Sequence, residues 1–475
     1  MSVVQVASEA VPFSKTGGLA DVAGALPKAL AAQGAKVCLF TPAYRGSAGK
    51  ASEVARIRVP LGGAELSARV LRAPLGGAEA YLVDYPAFFD RPSLYGEGGK
   101  DYPDNAERYA FFARAVLEAC RALRLSPSVV HAHDWQAGLV PALLKTTFKD
   151  DPVFRSTATV FTVHNMGYQG LFPKSSLGVT GLPASAFSSD GVEYWDQVGY
   201  LKAGLAYADL LTTVSPTHAR EVQTPEYGRG LEGLMRRRGV DLHGVLNGLD
   251  LEAWDPARDE ALPLRYSAKD AKAGKAAAKA ALQAALGLAP EPKSFLLASV
   301  TRLDAQKGVD IALAAVEPFL SAGAQYALLG SGDPGLENAA KAFAAAHPGR
   351  AAYSGRFDDP LGRLLYAASD AFLMPSRYEP CGLGQMIAMR YGSLPVAVRT
   401  GGLADTVEPH GFLAGAPETK AVSAALREAA RAFSQPRSWA KRREGAMSVD
   451  FGWGPAAARY RELYAVAEGR VPHPR

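Results

Sequence analysis

Short apolar and β-branched runs alternate along the chain with longer stretches in which apolar residues recur every three or four positions. The first kind of run predicts strands and the second predicts helices. Strands are expected at residues 3–7, 37–40, 129–132, 159–163, 210–214 and 245–246, with helices at 20–33, 105–123 and 200–207 between them. Strand and helix taking turns is the pattern of parallel βαβ units, which build doubly wound sheets.

The pattern changes at residues 255–292, a polar, Pro-punctuated stretch holding an Ala/Lys-rich helix over 272–286 that Gly287 ends. This stretch reads as an interdomain connector. A second alternating series follows, with strands expected at 295–300, 326–329, 351–354, 371–375 and 394–398. The tail, 451–468, is helical in period, and its apolar face suits either domain. The expected division is 1–250 for a first Rossmann-like domain, 251–455 for a second, and 456–475 for a C-terminal helix packing back on the first.

A length of 475 residues agrees with more than one domain at ~100–200 residues each. Hydrophobic residues make up 48% and charged residues 21%, which excludes bulk disorder. The excess of 52 Lys and Arg over 47 Asp and Glu is thinly spread. Its densest runs, Arg236 to Arg238 and Lys441 to Arg443, are too short for a nucleic-acid arm, and an anionic small molecule fits better. Cys38, Cys120 and Cys381 form no Cys-x-x-Cys pair, so neither a disulfide framework nor a structural zinc site is expected. No stretch approaches the ~18 apolar residues that span a bilayer. A cytoplasmic protein, with no membrane partner, is the expectation.

One hexapeptide occurs twice: Thr16-Gly-Gly-Leu-Ala-Asp21 and Thr400-Gly-Gly-Leu-Ala-Asp405. Each copy opens an expected helix. A Gly-Gly turn there exposes backbone N–H groups at the positive end of the helix dipole, and Lys15 adds a cation beside the first copy. The plain alternative is a tight turn needing glycine for packing. Two copies, one per domain, favour loops that face a shared anion through Lys15, Gly17, Gly18, Thr400, Gly401 and Gly402. The first loop is not a Walker A motif.

With Ala7-Ser-Glu-Ala-Val-Pro-Phe-Ser-Lys-Thr-Gly-Gly-Leu-Ala-Asp21, the chain resembles the bacterial glycogen synthases and the related plant starch synthases. The likeness continues through His131-Ala-His-Asp-Trp135, Phe161-Thr-Val-His-Asn165 and Leu246-Asn-Gly-Leu-Asp250. In the second half it includes Thr301-Arg-Leu-Asp-Ala-Gln-Lys-Gly308, Pro375-Ser-Arg-Tyr-Glu-Pro-Cys-Gly-Leu383 and the second hexapeptide. The resemblance implies a GT-B fold, two doubly wound Rossmann-like α/β domains facing across a cleft. It also implies a retaining glucosyltransferase that moves glucose from ADP-glucose to the non-reducing end of an α-1,4-glucan and releases ADP.

Arg302 and Lys307 lie just past the first strand of the second domain, at the edge where open α/β sheets bind ligands. Arg as a fork and Lys as a point charge can grip a diphosphate and stabilise it as it leaves. The resemblance assigns Glu379 to the donor glucose hydroxyls and Cys381, Gly382 and Leu383 to the same loop. Cys381 reads as a small packed thiol, with no base nearby to make it a nucleophile. His164 is implied as a catalytic contact to the donor glucose, its carbonyl near the anomeric carbon. Asp134, Asn165 and Asn247 are implied as sugar-binding, and Asp21 belongs to the first loop. Phe357 stands where the family commonly has Tyr and has a ring that can stack on adenine; core packing is its alternative. Gly384 replaces a common Thr, residues 407–412 are short, and Asp450-Phe-Gly-Trp453 departs from the usual Asp-Phe-Ser-Trp.

No carboxylate pair of the retaining-glycosidase kind stands out. The resemblance implies a front-face displacement, in which the acceptor hydroxyl attacks as diphosphate departs and a phosphate oxygen takes its proton. No Asp-x-Asp occurs, and Asp150-Asp151 and Asp358-Asp359 read as turns before Pro, so no metal or other cofactor is expected. The rivals are another reaction on the same fold, such as a glucan phosphorylase or a sugar-nucleotide epimerase, and a catalytically silent glucan-binding protein. The chain is short for a phosphorylase and shows no recognisable pyridoxal lysine. The presence of Lys15, Arg302, Lys307 and Glu379 argues against a silent protein.

Overall fold

The computed structural model describes residues 1–356 and 358–471. They form two compact units, Met1–Gly248 with Trp453–Arg475, and Leu249–Gly452. The divisions expected after 250 and 455 lie beside these points.

The first unit is built on a nine-stranded sheet. In chain order its strands are β1 (Ser2–Val6), β2 (Lys36–Pro42), β3 (Ser52–Leu61), β4 (Ala64–Leu75) and β5 (Ala78–Asp84). A small hairpin follows, β6 (Gly96–Glu97) with β7 (Lys100–Asp101), and then the sheet strands β8 (Val129–His133) and β9 (Ala158–Val163). A separate three-stranded sheet holds β10 (Leu171–Pro173), β11 (Glu193–Tyr194) and β12 (Gln197–Gly199), before β13 (Leu210–Thr213) and β14 (Leu242–Gly244) complete the large one. Its order is β14-β13-β9-β8-β1-β2-β5-β4-β3. All neighbours are parallel except β5-β4 and β4-β3.

The antiparallel edge was not anticipated from helix–strand alternation. Its signal was present as Gly62-Gly63 and Gly76-Gly77, two-residue turns whose four positive φ angles suit glycine. The strand expected at 245–246 is instead β14, three residues earlier in the chain, because the ladder to β13 starts at Leu242. Val245 only adds a bond to the Thr213 carbonyl.

The order reverses at β1, which has β2 on one side and β8 on the other. Such a switch point leaves a crevice at the carboxyl edge where the flanking loops diverge. The helix Gly18–Ala32 covers this half of the sheet. Gly24 allows its close approach to the incoming loop, since a Cβ there would stand 2.4 Å from the Val11 carbonyl.

The C-terminal helix Trp453–Glu468 packs on the first unit. Ala457, Tyr460, Leu463, Tyr464 and Ala467 enter the core formed with Val3, Leu26, Leu30, Val160 and Leu210. The long helix Asn105–Ala122 fills the other face, with Phe111, Phe112, Val116 and Leu117 fully buried.

The second unit has one six-stranded, all-parallel sheet. Its strands are β15 (Leu296–Val300), β16 (Gln325–Leu329), β17 (Ala351–Ser354), β18 (Ala371–Met374), β19 (Leu394–Val398) and β20 (Phe412–Ala414). The order β17-β16-β15-β18-β19-β20 reverses at β15. Buried on both faces, these strands read as nearly continuous apolar runs.

The stretch read as a connector is part of this unit's core. Leu262, Tyr266, Ala278 and Leu282 pack with Tyr366, Phe372 and Tyr391. The helix Ala271–Leu286 also sends Lys275 inward, where its ammonium donates to the carbonyls of Ala367, Ser369 and Tyr391 at 2.7, 2.9 and 3.2 Å. Lys279 pairs with buried Asp370 at 2.6 Å. Sequence polarity misled here because these lysines serve buried acceptors rather than solvent. Asp358, expected in a turn, caps the helix Asp359–Ala368 by accepting the Leu361 N–H at 2.9 Å.

Leu463 is 2% exposed within the first unit's core. Leu463→Ala should therefore destabilise that unit by about 2–5 kcal/mol. Hydrogen exchange of β1 and β9 reads this directly, and unchanged protection would remove the C-terminal helix from the folding unit.

Candidate active site

In the second unit the candidate residues gather where β15 and β18 end, on either side of the switch point. After Val300 the chain turns through Arg302 into a single helical turn, Ala305–Lys307, capped by the Asp304 carboxylate on the Lys307 N–H at 3.1 Å. Gly308 leaves this turn in the left-handed region, φ +64°, so close to the other loop that a Cβ would lie 2.2 Å from the Pro375 carbonyl. Two further bonds tie the loops together: the Arg377 N–H to the Gln306 carbonyl at 2.8 Å, and Gln306 Nε2 to the Tyr378 carbonyl at 3.1 Å.

These ties bring Lys307 Nζ to 2.7 Å from Glu379 Oε2, which also accepts from Ser376 Oγ at 3.0 Å. Glu379 is buried, 6% exposed. Arg302 is open to solvent and pairs with Asp304 at 3.3 Å. A cavity of about 260 Å³ lies against these groups, lined by Arg302, Lys307, Glu379 and Gly382 together with Tyr326 and Ile387. One cation is thus fixed by a buried carboxylate and the other stands at the rim. Ser376 was not anticipated. The signal was its place three residues before Glu379, which turns the hydroxyl onto the carboxylate.

The second hexapeptide departs from its expected use. The Gly402 N–H donates to the carbonyls of Glu379 and Pro380, both at 3.1 Å. A Cβ on Gly401 would lie 2.0 Å from the Glu379 carbonyl, and one on Gly402 2.1 Å from the Cys381 carbonyl. The glycines of this copy pack the turn onto the Glu379 loop, so the Gly402 N–H faces carbonyls rather than an open anion site. Thr400 and Cys381 are buried beside it. Gly382 holds φ +72°, and the helix that follows begins at Gly384, after Leu383.

In the first unit the loop after β1 is closed by a residue given no role from the sequence. Glu9, 3% exposed, accepts the Thr16 N–H at 2.5 Å and the Thr16 hydroxyl at 2.7 Å. Burial raises the Glu9 carboxyl above the usual range, opposed by these bonds and one from the Gly17 N–H. An internal carboxylate therefore occupies N–H groups that were expected to face an anion. Lys15 pairs with Asp21 at 2.7 Å on the surface. The space in front of Gly18 is open, with nothing within 4 Å of a Cβ built there.

His131 and His133 alternate along β8, so both point to one face. His131 Nδ1 meets the Tyr464 hydroxyl at 2.8 Å, and its Nε2 meets Thr162 Oγ1 at 2.6 Å. Its ring lies 4.1 Å from that of His133, whose Nδ1 is 3.1 Å from Nε2 of His164. Burial pushes His131 and His164 down to about 3 and His133 well below the usual imidazole range. The three rings are neutral at physiological pH. Asp134 follows in a left-handed conformation, φ +55°, which its Oδ1 compensates by accepting the His164 N–H at 2.7 Å. Burial raises its carboxyl to about 7, and the nearby Glu9 charge adds to this. Asn165 Oδ1 accepts the Gly167 N–H at 2.8 Å and so shapes the loop after β9. Asn247 Oδ1 is buried and has no hydrogen-bond partner among the described residues. Phe357 lies outside the described residues.

Two family descriptions match the chain: "Starch synthase catalytic domain" over residues 2–237, and "Glycosyl transferases group 1" over 294–431. A glycogen synthase of Syntrophotalea carbinolica is 45% identical over 479 aligned residues, covering 98% of this chain and 99% of that protein. One from Anaeromyxobacter dehalogenans is 47% identical over 474, with the same coverage. The catalytic domain of starch synthase IV from Arabidopsis thaliana, solved with ADP and acarbose, is 33% identical with a TM-score of 0.90. That match covers 98% of this chain and 99% of that one. The fold and site define a GT-B glycosyltransferase. The chain belongs to the glycogen and starch synthase family, and its activity is glucosyl transfer in glycogen biosynthesis.

Two outcomes follow from this geometry. Gly402→Ala puts a methyl into the Cys381 backbone, so turnover should fall at least tenfold while Gly178→Ala, in the helix Leu177–Thr180 with open space around it, stays within twofold; equal effects would contradict the packing role. The second concerns pH. Neutral histidines that titrate near 6.5 when unfolded give stability that is full above that pH and lost as it falls toward 3. Asp134 works oppositely, costing stability as pH rises from about 4 to 7. Three rings outweigh one carboxyl, so exchange protection of β8 and β9 should fall from pH 6.5 to 5. Asp134→Asn should gain more at pH 8 than at pH 5; a pH-independent difference would contradict the buried-carboxyl assignment.

Proposed function

We propose that the chain transfers glucose from ADP-glucose to the non-reducing end of an α-1,4-glucan with retention of configuration, releasing ADP, in the cytoplasm. The observation that carries this reading is the Lys307 ammonium held by buried Glu379 beside Arg302 at the switch point of the second unit. Fixed cations at a leaving diphosphate stabilise charge that develops as the bond to the sugar breaks, and their benefit is largest in a site from which water is excluded. The Arabidopsis relative's ADP supports the adenine donor. Among the described residues, no helix is long and apolar enough to cross a membrane.

In this reading Arg302 and Lys307 grip the diphosphate, and Glu379 meets the glucose hydroxyls while holding Lys307 in place. The loop of Cys381, Gly382 and Leu383 shapes that pocket. Asp134, His164, Asn165 and Asn247 belong to the sugar side, Lys15, Gly17, Gly18 and Asp21 to the opening of the first helix, and Phe357 to the adenine. A neutral His164 suits a group that binds a sugar hydroxyl or an oxocarbenium-like centre without repelling it. The acceptor hydroxyl attacks on the face the diphosphate leaves, and a leaving phosphate oxygen takes the proton. The protein supplies position and charge. No metal or other cofactor enters this scheme, because the two cations do the work a metal would do.

The test is nucleoside diphosphate release from ADP-glucose and UDP-glucose, with and without glycogen, without added metal. Release that needs glycogen and prefers ADP-glucose is expected. Lys307→Ala should lower kcat about 10²–10³-fold. Because that change strands a buried carboxylate, Lys307→Met with Glu379→Gln is the companion variant. Unchanged kinetics in both would remove the pair from the reaction, and preference for UDP-glucose would overturn the donor.

A further inference from the structure

Four of the five tryptophans are packed, at least in part, into the protein; Trp195 is 82% exposed. It stands at the tip of the hairpin formed by β11 and β12, in a two-residue turn where Tyr194 pairs with Gln197. Trp195 and Asp196 both have left-handed backbones, φ +52° and +57°. Such a turn favours Gly, Asn or Asp, so a large ring at its first position is held against the local preference.

The tip is braced on every side. The Asp196 N–H donates to Glu193 Oε1 at 2.8 Å, and Lys174 pairs with Asp196 at 3.1 Å. The Lys202 ammonium, largely buried, donates to the carbonyls of Ser189, at 2.7 Å, and Glu193. The Tyr194 hydroxyl donates to the Arg229 carbonyl at 3.2 Å. Gln169 Nε2 donates to that same carbonyl at 3.0 Å. Gln169 follows Tyr168, itself 58% exposed and four residues past His164. Two strand-loop segments, each carrying an exposed aromatic ring, are thus pinned to one backbone atom.

A rigid indole with a polar rim suits a sugar ring, whose C–H face lies on the aromatic face while its hydroxyls reach the surrounding groups. Here the rim offers Glu193, Asp196 and Lys174. The rim carboxylates disfavour an anionic lipid surface, and a single ring with its neighbours falls far below the ~800 Å² per partner of a stable dimer. We propose that the Trp195 hairpin, with Tyr168, is a binding site for the α-1,4-glucan chain beyond its reacting end. The inference rests on the glucan acceptor proposed above. It adds a site that captures the polymer and leaves the chemistry at the reacting sugar untouched.

The test compares wild type with Trp195→Gly, which satisfies the left-handed turn and preserves the fold, and with Trp195→Tyr, which keeps an aromatic face. Retardation in native gels containing glycogen gives the affinity, and KM is measured for glycogen, maltotriose and ADP-glucose. Trp195→Gly should weaken glycogen affinity and raise its KM roughly 3- to 10-fold. The kcat and the KM values for maltotriose and ADP-glucose should stay unchanged, and Trp195→Tyr should restore most of the affinity. Equal retardation of all three proteins would overturn the site, as would a change in oligomeric state on Trp195→Gly, which marks a contact between copies. A wild type that neither binds glycogen nor uses it would instead overturn the acceptor reading itself.

Discussion

The second unit's site depends on one buried carboxylate. Glu379 is inside the protein, and a charge there persists only when it is paired and hydrogen-bonded. Lys307 and Ser376 supply those bonds from two loops that follow two different strands. That single requirement fixes the separation of the loops and makes Gly308 necessary where they touch. It also draws the Thr400-Gly401-Gly402 turn onto the Glu379 backbone. The pair is a positioning device before it is anything else: it stops a flexible lysine from collapsing onto solvent-exposed acids and leaves its charge aimed at the cavity.

The first unit reaches the same edge of its sheet by a different economy. Its polar groups there are neutral or capped: three imidazoles below their usual pKa, a carboxyl raised to about 7, and Glu9 closed over the Thr16 turn. The C-terminal helix takes part through Tyr464, whose hydroxyl meets His131 and whose ring seals the strands beneath. Residues far apart in sequence therefore converge on the environment of His164. In the proposed reaction the glucosyl group needs such a surface, because charge beyond the diphosphate and bulk water would both divert it.

Much of this was legible in the sequence, for physical reasons. Parallel strands buried on both faces leave apolar runs that cannot be mistaken, which is why Ala351–Ser354, Leu394–Val398 and the helix Tyr200–Tyr207 were placed to the residue. Arg302 and Lys307 are expected at a strand's carboxyl edge and Glu379 comes from the resemblance; the structure brings Lys307 and Glu379 together against one cavity that Arg302 also lines. Other features were hidden. Lys275 and Lys279 lend polarity to the stretch that reads as a connector, because sequence does not show that carbonyls at two distant helix ends and the Asp370 carboxylate wait for them. The two hexapeptides looked alike, yet one is closed by Glu9 and the other is packed against Glu379, since the partner of a turn is set by tertiary contact. The β3–β5 edge breaks the alternation with helices because antiparallel neighbours need only two-residue glycine turns between them, with no crossover helix. Trp195 carries no sequence signal of exposure; only its backbone and surroundings disclose it.

The central claim is that Arg302 and Lys307, held by Asp304 and Glu379, form the diphosphate site. A crystal structure of the chain with ADP tests it most directly. The account predicts the β-phosphate within hydrogen-bond reach of both Lys307 Nζ and the Arg302 guanidinium, with Glu379 still holding Lys307. A β-phosphate bound elsewhere, with Lys307 engaged by Glu379 alone, would contradict it.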